Sequence, residues 1–206
     1  MLTLYSQQHS GNAYKPRLLM ALLGIPFRIV DVNTYDGSTR QPDFLAKNPI
    51  GKVPLLEFED GRRLAESNAM LLHLAENSRY LPGDSFARAK AYEWLFFEQY
   101  THEPSIAVRR SILTAPERAA QRTPERLAAL LDAGDHALGV MERRLSGASW
   151  LAGESYSVAD MALYAYTHVA GEGGFELTRY PGIERWLARV SAQPGHVPLD
   201  WRPAGS

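Results

Sequence analysis

Two short stretches carry residue types that together can hold a peptide. Lys52-Val53-Pro54 enters an apolar strand, and Glu66-Ser67 precedes a helical run. A carboxylate such as Glu66 accepts from an ammonium, and a serine at a helix N-terminus donates where the helix dipole favours an anion. Pro54 has no N–H for a ladder, so it belongs at a strand's start or edge. Val53-Pro54 is a candidate cis bond that turns the backbone of Val53 outward. An outward N–H and C=O pair with an extended peptide as an added strand. Lys52 adds a cation beside them. The combination describes a seat for a small peptide with an amine and an acid at one end. Plainer roles are open as well: Ser67 as a cap of its own helix, Glu66 as an exposed strand-end acid.

Cysteine is absent from the 206 residues. Disulfides, thiolate metal sites and a protein-thiol nucleophile are thereby excluded, and any sulfur chemistry uses a sulfur that arrives with the ligand. The six histidines are scattered, with no His-x-x-x-His pair beside acids, so no metal site is expected. A formal net charge of -1 argues against a nucleic-acid surface. No apolar run reaches membrane-spanning length. The first residues lack the pattern of a secretory signal, so a cytoplasmic setting is expected.

The elements that position these residues follow from pattern. Leu2–Tyr5 reads as a strand, 7–12 as a polar loop, and Arg17–Leu23 as a helix closed by Gly24 and Pro26. Phe27–Val32 is a second strand, with a short helix near Pro42–Lys47. Pro54–Phe58 and Arg63–Ala65 are strands joined by Asp60-Gly61, read as a two-residue turn. Ser67–Glu76 is a helix. The order βαβαββα fills residues 1–77 as one domain. After a Pro-Gly linker the pattern over 86–206 is a helical bundle. Phe86–Val108 reads as one run bent at Pro104, Pro124–Leu145 as a second, a third begins at Ser157, and Ile183–Ala192 is a fourth. Ser157-Val158-Ala159-Asp160 has capping-box form ahead of an apolar, buried helix.

Asn48-Pro49-Ile50-Gly51-Lys52-Val53-Pro54, Glu66-Ser67-Asn68-Ala69 and the Ser157–Asp160 box, in this order, resemble the glutathione S-transferase family over nearly the whole chain. The nearest likeness is to bacterial serine-type, theta-like or nu-like members. The resemblance implies a thioredoxin-like first domain, an all-helical second domain, and glutathione as co-substrate without a metal. It places Val53 against the cysteinyl main chain with Pro54 cis, Glu66 and Ser67 on the γ-glutamyl amine and carboxylate, and Lys52 near the glycine carboxylate. Ser10, five positions after Tyr5, matches the serine that donates to the thiolate. Asn12 is the second candidate, with helix capping as its plainer role, and Tyr14 also falls within reach. Tyr5 reads as structural, and Lys15 as a solvated charge.

By the same resemblance a small hydrophobic electrophile lies between the domains, with His9, Tyr14, Tyr100 and His102 as candidate contacts. The implied activity is transfer of the glutathione thiolate to that electrophile, by a homodimer. Glutathione-dependent peroxide reduction and a non-catalytic glutathione-binding or regulatory role stay open beside it.

Overall fold

Parallel neighbours need a crossover, and the first half of the chain is organised around one. In the computed structural model, which describes residues 1–204, β1 (Leu2–Ser6) and β2 (Phe27–Asp31) lie parallel, Leu2 opposite Phe27 and Ser6 opposite Asp31. Helix α1 (Gly11–Leu23) makes the crossover. After the short helix α2 (Pro42–Leu45), β3 (Leu55–Glu57) returns antiparallel to β1, and β4 (Arg63–Leu64) pairs antiparallel with β3. The sheet order is β2-β1-β3-β4, and helix α3 (Ser67–Leu74) follows and packs on α1. Leu4, Met20, Phe27, Ile29, Leu56 and Met70 form the core. The βαβαββα order expected from pattern is the order observed.

Two local expectations are corrected. Helix α1 begins at Gly11, six residues before the apolar run, and continues through Pro16. At that position proline removes one helical bond, the one to the carbonyl of Asn12, while Ser10 caps the start. The hairpin is also longer than a two-residue turn. Phe58 N–H bonds to the Arg62 carbonyl around the loop Glu59–Gly61, and of Asp60 and Gly61 only Gly61 has positive φ (82°). A type I turn closed by a left-handed glycine is the usual three-residue solution.

The second unit, Asn77–Gln193, is helical. It holds α4 (Ser85–Phe97), α5 (Glu103–Thr114), α6 (Pro124–Leu145), α7 (Val158–Thr167) and α8 (Pro181–Ser191). Thr123 caps α6 by accepting from the Arg126 N–H, as Thr-Pro predicts. The expected bend at Pro104 is a π-helical turn over Glu98–His102. The Glu103 N–H reaches back to the Glu98 carbonyl, and the widened turn leads directly into α5, with Pro104 as its second residue. Every residue of α7 is buried.

Residues 86–206 do not all belong to the helical unit: the chain from Pro194 onward packs with residues 1–76. The reason is apolar. Trp201 lies against Phe27, ring centroids 6.2 Å apart, on the edge of the first unit's core. Among the described residues no helix is long and apolar enough to cross a membrane.

Candidate functional site

The loop before β3 is built around Asn48, which is buried. Its Nδ2 donates to the Lys52 carbonyl at 2.8 Å, its Oδ1 accepts from the Ile50 N–H, and its carbonyl accepts from the Gly51 N–H. Gly51 has φ 66°, and a Cβ there would lie 2.7 Å from the Arg40 guanidinium and 2.8 Å from the Thr39 carbonyl. Only glycine fits. The loop thus delivers Lys52, exposed, and Val53, half-buried, to the mouth of β3. The Val53-Pro54 bond is cis. The ladder between β1 and β3 begins at the Tyr5–Leu55 pair, so Val53 stands outside it.

Glu66 ends this stretch in a strained conformation, φ 66° and ψ 110°. For a residue with a Cβ such a conformation costs roughly 1–3 kcal/mol and concentrates at functional sites. The bend leaves the Glu66 side chain exposed at the head of α3 and starts the helix at Ser67. Glycine has no penalty there, whereas alanine keeps it. Glu66→Gly is therefore expected to be more stable than Glu66→Ala by about 1–2 kcal/mol in urea denaturation. An alanine variant more stable than the glycine variant would show that the backbone is unstrained in solution.

The starts of α1 and α3 meet. Ser67 Oγ donates to Asn12 Oδ1 at 3.2 Å, joining two residues that the sequence singled out separately. Between them lies Lys15, read from sequence as solvated but fully buried here. Its ammonium donates to Asn12 Oδ1 (2.9 Å), Asn68 Oδ1 (3.1 Å) and Ser67 Oγ (3.3 Å). The signal was present: once α1 starts at Gly11, Lys15 shares a face with Leu18 and Leu19. With its hydroxyl proton on Asn12, Ser67 has its main-chain N–H in the first turn of α3 and close to a buried positive charge, an arrangement that can receive an anion.

Ser10 caps α1, its Oγ accepting from the Ala13 N–H at 3.3 Å. Capping uses a lone pair and leaves the hydroxyl proton for a further acceptor, so the two roles are compatible. Tyr14 is different. It is buried, and its hydroxyl donates to the Val197 carbonyl at 2.6 Å, with His196 Nε2 at 3.4 Å. A phenol has one proton to give, and here the tail takes it. Tyr5 packs edge-on against Phe44, a structural position. His9 is exposed in the loop before Ser10.

In the helical unit, Tyr100 is 89% exposed, whereas His102 is fully buried with Nε2 2.9 Å from Thr167 Oγ1. His102 is thus part of that unit's interior. Among the described residues no group of three or more His, Asp or Glu is arranged to hold a metal ion.

Comparison with known proteins bears on this arrangement. The model of the glutathione S-transferase N-terminal domain matches residues 1–76, and that of the C-terminal domain matches residues 106–194. Glutathione S-transferase GstB of Escherichia coli (strain K12) is 30% identical over 204 residues, covering 94% of this chain and 95% of its own. The crystal structure of a glutathione S-transferase from Pseudomonas fluorescens Pf-5 shares 49% identity at a TM-score of 0.93, covering 96% of this chain and 98% of that one. A glutathione transferase family member from the same organism, crystallised with two glutathione bound, is 25% identical with a TM-score of 0.80, over 94% and 89% of the chains. Both domain models match in order and the relatives align over nearly their full length: the chain belongs to the glutathione S-transferase family.

Proposed function

We propose that this protein is a glutathione transferase that holds glutathione as its thiolate and adds it to small hydrophobic electrophiles. The observation that carries the reading is the meeting of Asn12 and Ser67 at the heads of α1 and α3, in a chain with no thiol of its own. Val53 takes the cysteinyl main chain. The Ser67 N–H and the α3 dipole take the γ-glutamyl carboxylate, Glu66 takes its ammonium, and Lys52 faces the glycine carboxylate. Ser10 donates its hydroxyl proton to the sulfur.

A free thiol has a pKa of about 8.5, so little is ionised at neutral pH. Lowering it by about two requires roughly 2.7 kcal/mol of preference for the anion. A hydrogen bond to a charged group contributes about 1.5–3 kcal/mol, so one hydroxyl is of the right size. The thiolate then attacks the electrophilic carbon; the C–S bond forms as the leaving group departs with its electron pair, or as the π pair of an activated double bond shifts onto its activating group and a proton from solvent completes the addition.

Ser10 has two functions to separate, and two variants separate them. Ser10→Gly keeps most of the cap and loses the hydroxyl. Conjugation of an aryl halide at neutral pH is expected to fall about 10–100-fold, with stability changed by only a few tenths of a kcal/mol. Ser10→Thr keeps both. Unchanged turnover in Ser10→Gly would move the thiolate donor to Asn12. Cumene hydroperoxide assayed in parallel tests the peroxidase reading: peroxide turnover without conjugation would reverse the order. Glutathione binding with an unshifted thiol would favour a regulatory protein.

A homodimer and a cytoplasmic setting, where glutathione is kept reduced, go with this reading. Phe86, Phe96 and Tyr100 are 73%, 73% and 89% exposed and fall within a roughly 80° arc at helical spacing. Three exposed aromatics on one face, with the Lys90–Glu93 ion pair among them, are a surface that a second copy could cover.

A further inference from the structure

Lys15 has no place in the scheme above, although it is the most deeply set cation of the site. An ammonium has three N–H donors, and here three acceptors answer them: Asn12 Oδ1, Ser67 Oγ and Asn68 Oδ1. Two of the three belong to α3 and one to the first turn of α1. Asn12 Oδ1 also receives the Ser67 hydroxyl, so two donors converge on one oxygen. That fixes the orientation of the Asn12 amide. The oxygen faces Lys15, and the NH2 must face the other way, because turning the amide over would set NH2 against both an ammonium and a hydroxyl.

We propose that Lys15 is the positioning residue of the glutathione site. Its buried ammonium joins the heads of α1 and α3 and makes Asn12 present a hydrogen-bond donor, not an acceptor, to the ligand. An NH2 suits an anionic sulfur, and a carbonyl oxygen would repel it. The same fixed charge, 3.3 Å from Ser67 Oγ, favours the carboxylate that settles on the first turn of α3. Lys15 touches neither sulfur nor electrophile; it acts through Asn12 and Ser67. The proposal rests on the reading of this site as a glutathione site.

The test uses Lys15→Met, which retains the length of the side chain and removes the charge. Glutathione affinity by calorimetry is expected to fall about tenfold, and the bound thiol, followed by its ultraviolet absorbance, to titrate about one pH unit higher. Conjugation at saturating glutathione should drop at pH 6.5 and recover towards wild type at pH 9, where the thiol ionises unaided. A merely structural lesion lowers the rate equally at both pH values, and that outcome overturns the proposal. So does a Lys15→Met protein with wild-type affinity and pH profile.

If Lys15→Met does not fold, Asn12→Asp carries the same test. It keeps an oxygen for Lys15 and replaces the NH2 with a second oxygen. The bound thiol should again titrate higher, and an unchanged thiol would end the argument. Wild-type protein that gives no heat with glutathione sinks the underlying reading instead.

Discussion

Replacing Arg17 with alanine is expected to cost about 3–5 kcal/mol, and replacing it with methionine about 1–2 kcal/mol. Arg17 is 1% exposed, on α1 one turn beyond Tyr14. Its Nη2 donates to the carbonyls of Gln8 (2.7 Å) and Leu199 (3.0 Å), and its Nη1 to that of Trp201 (3.4 Å). Burial pulls its pKa down to about 10, so it is still charged at neutral pH, and desolvation is the cost of keeping it there. Alanine removes the charged bonds, leaves three carbonyls without that donor and opens a cavity. Methionine fills the space and removes the desolvation cost along with the bonds, so much of the loss is offset. Urea denaturation of the two variants checks the order, and equal losses would mean that the bonds of the side chain matter and its volume does not.

The same clamp reaches the loop of Ser10, the proposed thiolate donor. Gln8 stands two residues before Ser10, and its side chain also donates to Leu199. Arg17 therefore ties the Ser10 loop to the tail. A chain ended after Gln193 loses the Leu199 and Trp201 acceptors together with the packing of Trp201 on Phe27. It is expected to lose less stability than Arg17→Ala, because ordering the tail no longer costs conformational entropy.

What could be read from sequence depended on how local the cause was. Asn48, Gly51 and Pro54 act within seven residues, through a turn that tolerates only those types, and the loop was legible down to the cis bond. Thr123-Pro124 at the head of α6 and Gly24 at the end of α1 are local signals of the same kind. The start of α1 was hidden because Pro16 reads as a breaker. Its neighbours compensate through contacts made 52 and 53 residues away, at Ser67 and Asn68. The burial of Lys15 was hidden with it, since a lysine looks solvated until its helix face is known. The return of the tail was the least legible. Trp201 and the carbonyls of Val197 and Leu199 form no periodic pattern; their partners, Phe27, Tyr14 and Arg17, lie more than 170 residues earlier. The site has the same mixture: Val53, Glu66 and Ser67 were visible as motifs, while the lysine that joins Ser67 to Asn12 needed the tertiary structure.

Asp160→Ala should be the most damaging single substitution in the helical unit, costing about 4 kcal/mol or more. Asp160 is fully buried. Its Oδ2 accepts from the Ser157 N–H (3.0 Å) and Ser157 Oγ (3.1 Å), and its Oδ1 from the Leu151 N–H (3.0 Å) and the Trp186 indole N–H (2.9 Å). One carboxylate thus ties the start of α7 to the preceding loop and to α8. Alanine leaves these buried donors unanswered, each at roughly 1–3 kcal/mol, and circular dichroism during urea denaturation measures the sum. The four bonds do not cancel the burial. Desolvation pushes the carboxyl up from 3.8 to about 6, against the pull of the donors. An acid whose folded pKa lies above its unfolded one binds its proton more tightly when folded. Its contribution is fully present below pH 3.8, declines above that, and is gone once the pH has risen past about 6. The full span corresponds to roughly 3 kcal/mol. Asp160→Asn keeps the shape and cannot titrate, so it supplies the baseline. The stability of the wild type relative to Asp160→Asn is expected to decrease by up to that amount between pH 4 and pH 7, most of it before pH 6. Parallel curves would place the carboxyl at its ordinary pKa, and would mean that the four donors balance burial.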